Sequence, residues 1–121
     1  MINDQTPKSK HFNLETRTLI YAKNIIHLCQ SLPKNTINFR LIDQLVRSAG
    51  SIGANYREAN DSLGKKDFVN RLRISRKEAK EALFWLELVQ EANPTCNPQS
   101  LIQECIELRN ILSAIINKVE K

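Results

Sequence analysis

The sequence has few residues that break helices and few that bind metals. Its 121 residues include three glycines, four prolines and two histidines. The glycines are isolated, which excludes a glycine-rich phosphate-binding loop. Neither His11 nor His27 follows a glutamate three residues earlier, so the Glu-x-x-His pairs of di-metal bundles are absent. Two histidines, one of them near the N-terminus, give no basis for a Ser/His/Asp grouping. We therefore expect no metal site, no cofactor and no enzymatic activity.

Long apolar runs are also missing. No uncharged run approaches the ~20 residues of a membrane span, and the first residues lack the apolar core of a signal peptide. The three cysteines are odd in number, and their spacing fits no zinc motif. Cys29 and Cys105 occupy apolar helical positions, which indicates reduced thiols in the core. We expect a cytoplasmic protein that does not contact the membrane.

Helical periodicity is the strongest pattern that is present. Apolar residues recur at three- and four-residue steps in four segments, near residues 14–32, 38–61, 65–92 and 98–120. Pro33, Gly64 and Pro98 mark boundaries between them. Such short links force neighbouring helices to pack antiparallel. The sequence predicts an all-α fold, an antiparallel up-down-up-down four-helix bundle. A single domain of this type would cover residues 13–121, after a flexible tail at residues 1–12.

The second helix carries small and polar residues beside its apolar face. Phe39, Leu45, Val46 and Ile52 belong to the predicted apolar face, and Gly53 implies a close packing contact, because glycine inside a helix costs about 1 kcal/mol relative to alanine. The polar stripe has two interpretations, a solvated face or a buried seam bonded to the third helix. Glutamates near it are better explained by ion pairs with Arg47 or Arg71 than by catalysis. The seam candidates are Arg47, Ser51, Asn55, Glu58 and Glu78.

The third helix concentrates positive charge. Residues 65–80 contain seven basic and two acidic side chains, a balance of +5 that equals the net charge of the whole chain. Like charges four residues apart cost a few tenths of a kcal/mol each. Solvated basic helices are common, so a plain solvent face is one interpretation. The other is a surface that tracks nucleic-acid phosphates, formed by Lys66, Arg73, Arg76, Lys77 and Lys80.

Apolar residues outside the predicted core indicate a second contact. The apolar arc of the fourth helix spans roughly 220°, whereas a bundle helix needs somewhat more than about 100°. Aromatic residues also cluster off the core face of the third helix. This cluster either packs under the link to the fourth helix or forms an interface between copies of the chain. The interface candidates are Ile74, Phe84, Trp85, Leu88, Ile102 and Ile106.

One stretch of about fifty residues closely resembles a known family. The family is that of the bacterial 23S rRNA intervening-sequence proteins, which is similar in turn to the accessory protein of diversity-generating retroelements. The resemblance implies a four-helix bundle that assembles into rings of five, and possible partners that include RNA or DNA and a reverse transcriptase. The residues that carry it are Asp43-Gln44-Leu45, Arg47-Ser48, Ser51-Ile52, Ala54-Asn55, Glu58-Ala59-Asn60, Lys66-Asp67-Phe68, Lys77-Glu78-Ala79, Glu81 and Trp85-Leu86.

Two classes of function follow from these patterns. The first is a non-catalytic, oligomeric accessory protein that binds nucleic-acid backbone, with structured RNA as the favoured ligand. The second is a protein-interaction or structural ring whose basic face only keeps it soluble. Salt-dependent binding to nucleic acid would favour the first class.

Overall fold

The computed structural model describes residues 13–121, so the flexible tail predicted at residues 1–12 lies outside the described residues. Within this range the chain forms four helices and no strand, which confirms the all-α fold class. The helices are α1 (Leu14–Ser31), α2 (Thr36–Asn60), α3 (Lys65–Ala92) and α4 (Gln99–Glu120). Each begins and ends within two residues of its predicted boundary.

The helix starts differ in how their first N–H groups are satisfied. The Asn35 side chain caps α2 by accepting from the N–H of Asn38 at 2.8 Å, so the helix begins at Thr36, two residues before the predicted start. Gly64 precedes α3 as predicted. Asn13 precedes α1 but makes no side-chain cap bond. Pro98 occupies the cap position of α4, where no side-chain cap bond forms.

Contacts between neighbouring helices pair residues in opposite order along the chain, which is the pattern that oppositely directed helices produce. Along α2 and α3 the hydrogen-bonded pairs are Asn38–Asn93, Arg47–Glu81, Ile52–Ser75 and Asn55–Arg71. Along α3 and α4 they are Arg73–Glu120, Arg76–Ser113 and Ala79–Cys105. The contact between α2 and α3 is the most extensive, and that between α1 and α4 is the least.

The core lies between the four helices. Its largest fully buried side chains include Tyr21, Ile25, Leu45, Ile52, Leu72, Leu86, Leu108 and Leu112. The prediction that Phe39 and Val46 belong to the core face of α2 is wrong, because these side chains are 59% and 36% exposed. At 100° per residue they lie about 120° and 100° from the buried Leu45, on the margin that faces α1.

The wide apolar arc of α4 is covered by other helices of the same chain. Ile102 and Ile116 are buried in the core, and Ile106, Ile111 and Ile115 pack partly buried against it. The arc therefore serves two neighbours, α3 on one side and α1 on the other, and requires no second copy of the chain. Ile102 in particular is 9% exposed and has little surface to offer to an interface.

An ion cluster joins α1 to α4. Arg17 donates from Nε and Nη2 to both carboxylate oxygens of Glu104, at 2.6 and 2.8 Å, and from Nη2 to Glu107 at 2.8 Å. The Arg17 side chain is largely buried, and hydrogen bonding to Glu104 raises its pKa further. A bidentate pair of this kind has the geometry in which arginine and carboxylate bind most strongly. The cluster thus adds a polar connection to the least extensive contact of the bundle.

A buried pair of asparagines joins the start of α2 to the end of α3. The Nδ2 group of Asn38 donates to Oδ1 of Asn93, and Nδ2 of Asn93 donates to Oδ1 of Asn38, both at 2.9 Å. Each amide also donates to a carbonyl, Asn38 to Pro33 and Asn93 to Val89. Because the donors and acceptors satisfy one another, the pair can remain buried without a large desolvation cost.

Gly53 lies against α1, as its position inside a helix predicts. A Cβ atom added there would lie 2.7 Å from Oγ1 and 3.1 Å from Cβ of Thr18. Thr18 is buried, and its hydroxyl already donates to the carbonyl of Leu14 at 2.7 Å. The absence of a side chain at position 53 therefore sets how closely α1 and α2 approach.

We expect Gly53→Ala to lower the free energy of unfolding by about 1–3 kcal/mol, the usual range for an overpacked core. Gly50→Ala is the matched control, since a Cβ at position 50 meets no atom within 4 Å. The control should raise stability by up to about 1 kcal/mol, because alanine is the better helix former. Urea unfolding of both variants measures the contrast. Equal stability of the two variants would show that the contact with Thr18 does not limit packing.

Candidate nucleic-acid interface

The outward face of α3 carries three lysines without an acidic partner. Lys66, Lys77 and Lys80 are exposed, and none belongs to an ion pair within residues 13–121. Lys66 and Lys77 are eleven residues apart, which on a helix returns to nearly the same direction, and Lys80 is 60° from Lys77. The lysines therefore form a positively charged strip over residues 66–80 of α3, which we call the basic face.

The two arginines predicted for the basic face turn toward α4. Arg73 forms an ion pair with Glu120, and Arg76 is half-buried and donates to the hydroxyl of Ser113 at 3.2 Å. Arg73 remains 44% exposed, so it can still reach an external anion after leaving Glu120. The five predicted residues thus occupy one side of the bundle, but they divide into three uncommitted lysines and two arginines that contact the neighbouring helix.

A groove lies between the start of α3 and the end of α4. Its volume is about 460 Å³, and it is lined by Lys65, Lys66, Val69, Asn70, Arg73 and Glu120. Three cations against one carboxylate leave a formal balance of +2 within the lining. Like charges repel, so this arrangement favours an external anion in the groove. Lys65 and Glu120 are lining residues that the sequence analysis did not select.

The polar stripe of α2 is divided between bonded and solvated residues. Arg47 donates to Glu81 at 2.6 Å and to Glu78 at 3.4 Å, and Asn55 accepts from Arg71 at 3.3 Å. These bonds connect α2 to α3, but the Arg47 side chain is 49% exposed, so this part of the seam is bonded without being buried as predicted. Ser51 is half-buried and takes part through its carbonyl, which accepts from Asn55 at 2.9 Å. Glu58 is exposed to solvent. The glutamates near Arg47 therefore form ion pairs.

The apolar cluster of α3 is partly exposed. Phe84 and Ile74 are 54% and 39% exposed, while Trp85 and Leu88 are half-buried. The ring of Trp85 packs against the core and meets Phe84 edge to face, with ring centroids 5.1 Å apart. Its Nε1 is buried with no hydrogen-bond partner in the described range. Phe84 and Ile74 are thus the members with most surface for a second molecule.

A second exposed apolar surface lies between α1 and α2, where the sequence analysis predicted none. Leu19 and Ile26 are seven residues apart on α1, and Phe39 and Val46 are seven apart on α2; all four are exposed. Seven residues are close to two helical turns, so each pair lies on one side of its helix. Leu19 lines a groove together with Gly50 and Gly53. The sequence indicated this surface only indirectly, because apolar residues on α1 and α2 cover a wider arc than the core requires.

The cysteines show no sign of reactivity. Burial raises the pKa of Cys29 to about 11, and burial also raises the pKa of Cys96 and Cys105. The thiol of Cys105 donates to the carbonyl of Ala79 at 3.1 Å. Because the thiolate is the nucleophilic form, thiols with raised pKa values are poor nucleophiles at neutral pH. All three cysteines are free, and those predicted in the core, Cys29 and Cys105, are buried.

The described residues contain neither a group of side chains that could hold a metal ion nor a helix that could span a membrane. Within residues 13–121 no group of three or more His, Cys, Asp or Glu side chains is arranged to hold a metal ion. None of the four helices combines the length and the apolar character needed to cross a membrane.

Comparisons with known proteins agree on one family. The sequence matches the family model described as 23S rRNA-intervening sequence protein over residues 4–114. Among solved structures, the chain is similar to a protein of unknown function from the S23 ribosomal protein family of Bacteroides thetaiotaomicron. The two are 35% identical, with a TM-score of 0.76, and the match covers 84% of this chain and 96% of the other. No curated protein matches the chain. The similarity to the retroelement accessory protein stays a prediction.

Proposed function

Because the chain belongs to the family of 23S rRNA-intervening sequence proteins, we propose that it is a non-catalytic accessory protein that binds nucleic-acid backbone. Structured RNA is the proposed ligand, and the bacterial cytoplasm is the proposed location. The observation that carries the proposal is the basic face, where Lys66, Lys77 and Lys80 are exposed and lack acidic partners in the described range. A helix that needed only solubility would mix charges of both signs there.

The chemistry of the basic face favours contact with phosphates over reading of bases. Lysine is a flexible point charge that suits phosphate oxygens. Within residues 65–80 the only aromatic side chain is Phe68, which is half-buried. The exposed ring of Phe84, one turn beyond Lys80, belongs to the apolar cluster that we propose for self-assembly. Backbone contacts position a nucleic acid without recognising its sequence. The proposed binding therefore depends on charge and on the shape of the RNA.

The direct test is a titration of a fluorescently labelled RNA stem-loop, followed by anisotropy at increasing salt. We expect binding at low salt and a steep linear fall of log affinity against log salt, because each neutralised phosphate releases counterions. A scrambled stem-loop of equal length should bind with similar affinity. Absence of binding to RNA or DNA at low salt would contradict the proposal and favour the interaction ring.

We also propose that the chain assembles with copies of itself. Two apolar surfaces on different faces support this, the exposed part of the α3 cluster (Ile74 and Phe84) and the α1–α2 surface of Leu19, Ile26, Phe39 and Val46. Contact between unlike surfaces generates rings when the rotation closes. The number five, and a reverse transcriptase as a further partner, come from the family resemblance alone. Light scattering that gave the mass of one chain at micromolar concentration would contradict assembly.

A further inference from the structure

The groove between α3 and α4 contains a carboxylate at the place where an anion would bind. Glu120 contacts Nη2 of Arg73, and Lys65 and Lys66 line the same groove. A carboxylate and a phosphate oxygen are both anionic acceptors that arginine binds in similar geometry. The protein thus supplies its own anion to the arginine of a groove that is otherwise cationic.

A glutamate at position 120 does not stabilise α4. It is the last residue of the helix, where the macrodipole places partial negative charge. Anionic side chains are unfavourable at that end, and cations such as Lys118 are favourable. The glutamate is therefore held against the preference of its own helix, and the compensating contact in the structure is Arg73.

The ion pair between Arg73 and Glu120 is also weak enough for an external anion to displace the glutamate. Its two side chains are 44% and 42% exposed, and exposed pairs of this kind contribute little to stability. Arg73 meets Glu120 through one nitrogen and one oxygen, in contrast to the two-point contact of Arg17 with Glu104. A phosphate can offer arginine two oxygens at once. Exchange of the carboxylate for a phosphate would therefore improve the contacts of Arg73.

We propose that the groove of Lys65, Lys66 and Arg73 receives one backbone phosphate of the bound RNA, and that Glu120 is the group this phosphate displaces. The inference rests on the proposed nucleic-acid function and adds a specific phosphate position to it. Glu120 competes with RNA for Arg73 and so lowers the affinity of the free protein. Because the competing charge is fixed on the protein, ligands that carry a single weak charge do not displace it, whereas a polyanion held by the neighbouring lysines does.

The test is a double-mutant cycle of Glu120→Gln and Arg73→Gln in the full chain, with the RNA stem-loop as probe. Glu120→Gln should bind about threefold more tightly than the parent, within the fold-change that corresponds to an exposed ion pair. Arg73→Gln should weaken binding by less than about twofold in the parent but by roughly fivefold when Gln replaces Glu120, because only then is the arginine fully available. Glu120→Gln should also steepen the salt slope by about 1.

Asp67→Asn is the matched control. Asp67 is exposed beside Lys66 and forms no ion pair within the described residues, so its loss removes the same charge without releasing Arg73. The inference predicts a coupling with Arg73→Gln for Glu120→Gln and none for Asp67→Asn. If the parent binds RNA but the effects of Glu120→Gln and Arg73→Gln are additive, the proposed displacement of Glu120 is wrong. The proposal that the basic face binds RNA is then unaffected. If the parent does not bind RNA at low salt, both proposals fail.

Discussion

Replacing Lys66, Lys77 and Lys80 together by glutamine is expected to reduce the affinity for an RNA stem-loop by on the order of 100- to 1000-fold at ~50 mM salt. At that concentration each neutralised phosphate contributes up to roughly tenfold through counterion release. The slope of log affinity against log salt should become shallower by about 2 to 3. The three lysines are chosen over Arg73 and Arg76 because the arginines already contact α4. Anisotropy titrations over a salt series measure both quantities.

The matched control replaces three exposed cations elsewhere, Lys23, Lys34 and Arg40, by glutamine. Lys23 lies on α1, Lys34 on the link between α1 and α2, and Arg40 on α2. None of them forms an ion pair in the described range. Both triple variants lower the net charge from +5 to +2, so they differ only in where charge is lost. If the control weakened binding as much as the α3 variant, net charge rather than the basic face would explain the affinity. Circular dichroism should show unchanged helix content in both, since all six positions are exposed.

Breaking the asparagine pair is expected to cause the largest loss of stability. Asn93→Leu leaves the buried amide of Asn38 without its partner, and an unsatisfied buried polar group costs about 1–3 kcal/mol, in addition to the lost bonds to Asn93. We expect a total loss of about 2–4 kcal/mol in the free energy of unfolding. Urea unfolding at constant protein concentration measures it.

The double variant Asn38→Leu with Asn93→Leu measures how much of the loss comes from the interaction between the two amides. It should recover about 1 kcal/mol or more relative to the sum of the single losses, because no amide is then left without a partner. Asn24→Leu, at an exposed position of α1, is the control and should change stability by less than about 0.5 kcal/mol. Strict additivity of the two core substitutions would show that the amides do not stabilise one another.

The helices could be predicted from the sequence because their signals are local. Apolar periodicity and the boundary residues Pro33, Gly64 and Pro98 depend only on neighbours in the chain, and the observed ends differ from the predicted ones by at most two residues. The close approach at Gly53 was also predicted, since a glycine inside a helix requires a reason beyond propensity. The identity of the opposing group, Thr18, depends on how α1 and α2 are rotated and was not available from the pattern.

The candidate site was predicted in composition but not in detail. The sequence selects the basic residues of α3, yet it does not reveal that Arg73 and Arg76 turn toward α4 while the lysines remain free. That division depends on the position of Glu120 and Ser113, which lie 47 and 37 residues away in the chain. The pairing of Asn38 with Asn93 was missed for the same reason. For Phe39 and Val46 the sequence predicted a contact that the structure does not contain. Periodicity assigns an apolar residue to one face of a helix without showing whether another helix covers it.

The contact between α1 and α4 has a consequence for the order in which the bundle assembles. The pair α2 and α3 is closed by four residues, 61–64, whereas α1 and α4 are separated by 67 residues, 32–98. For a flexible chain, closing the longer segment costs about 2.5 kcal/mol more in entropy than closing the shorter one. Contacts that are local in sequence form early in folding, and those that are distant form late. We therefore expect the contacts between neighbouring helices to form first and Arg17 to meet Glu104 and Glu107 last.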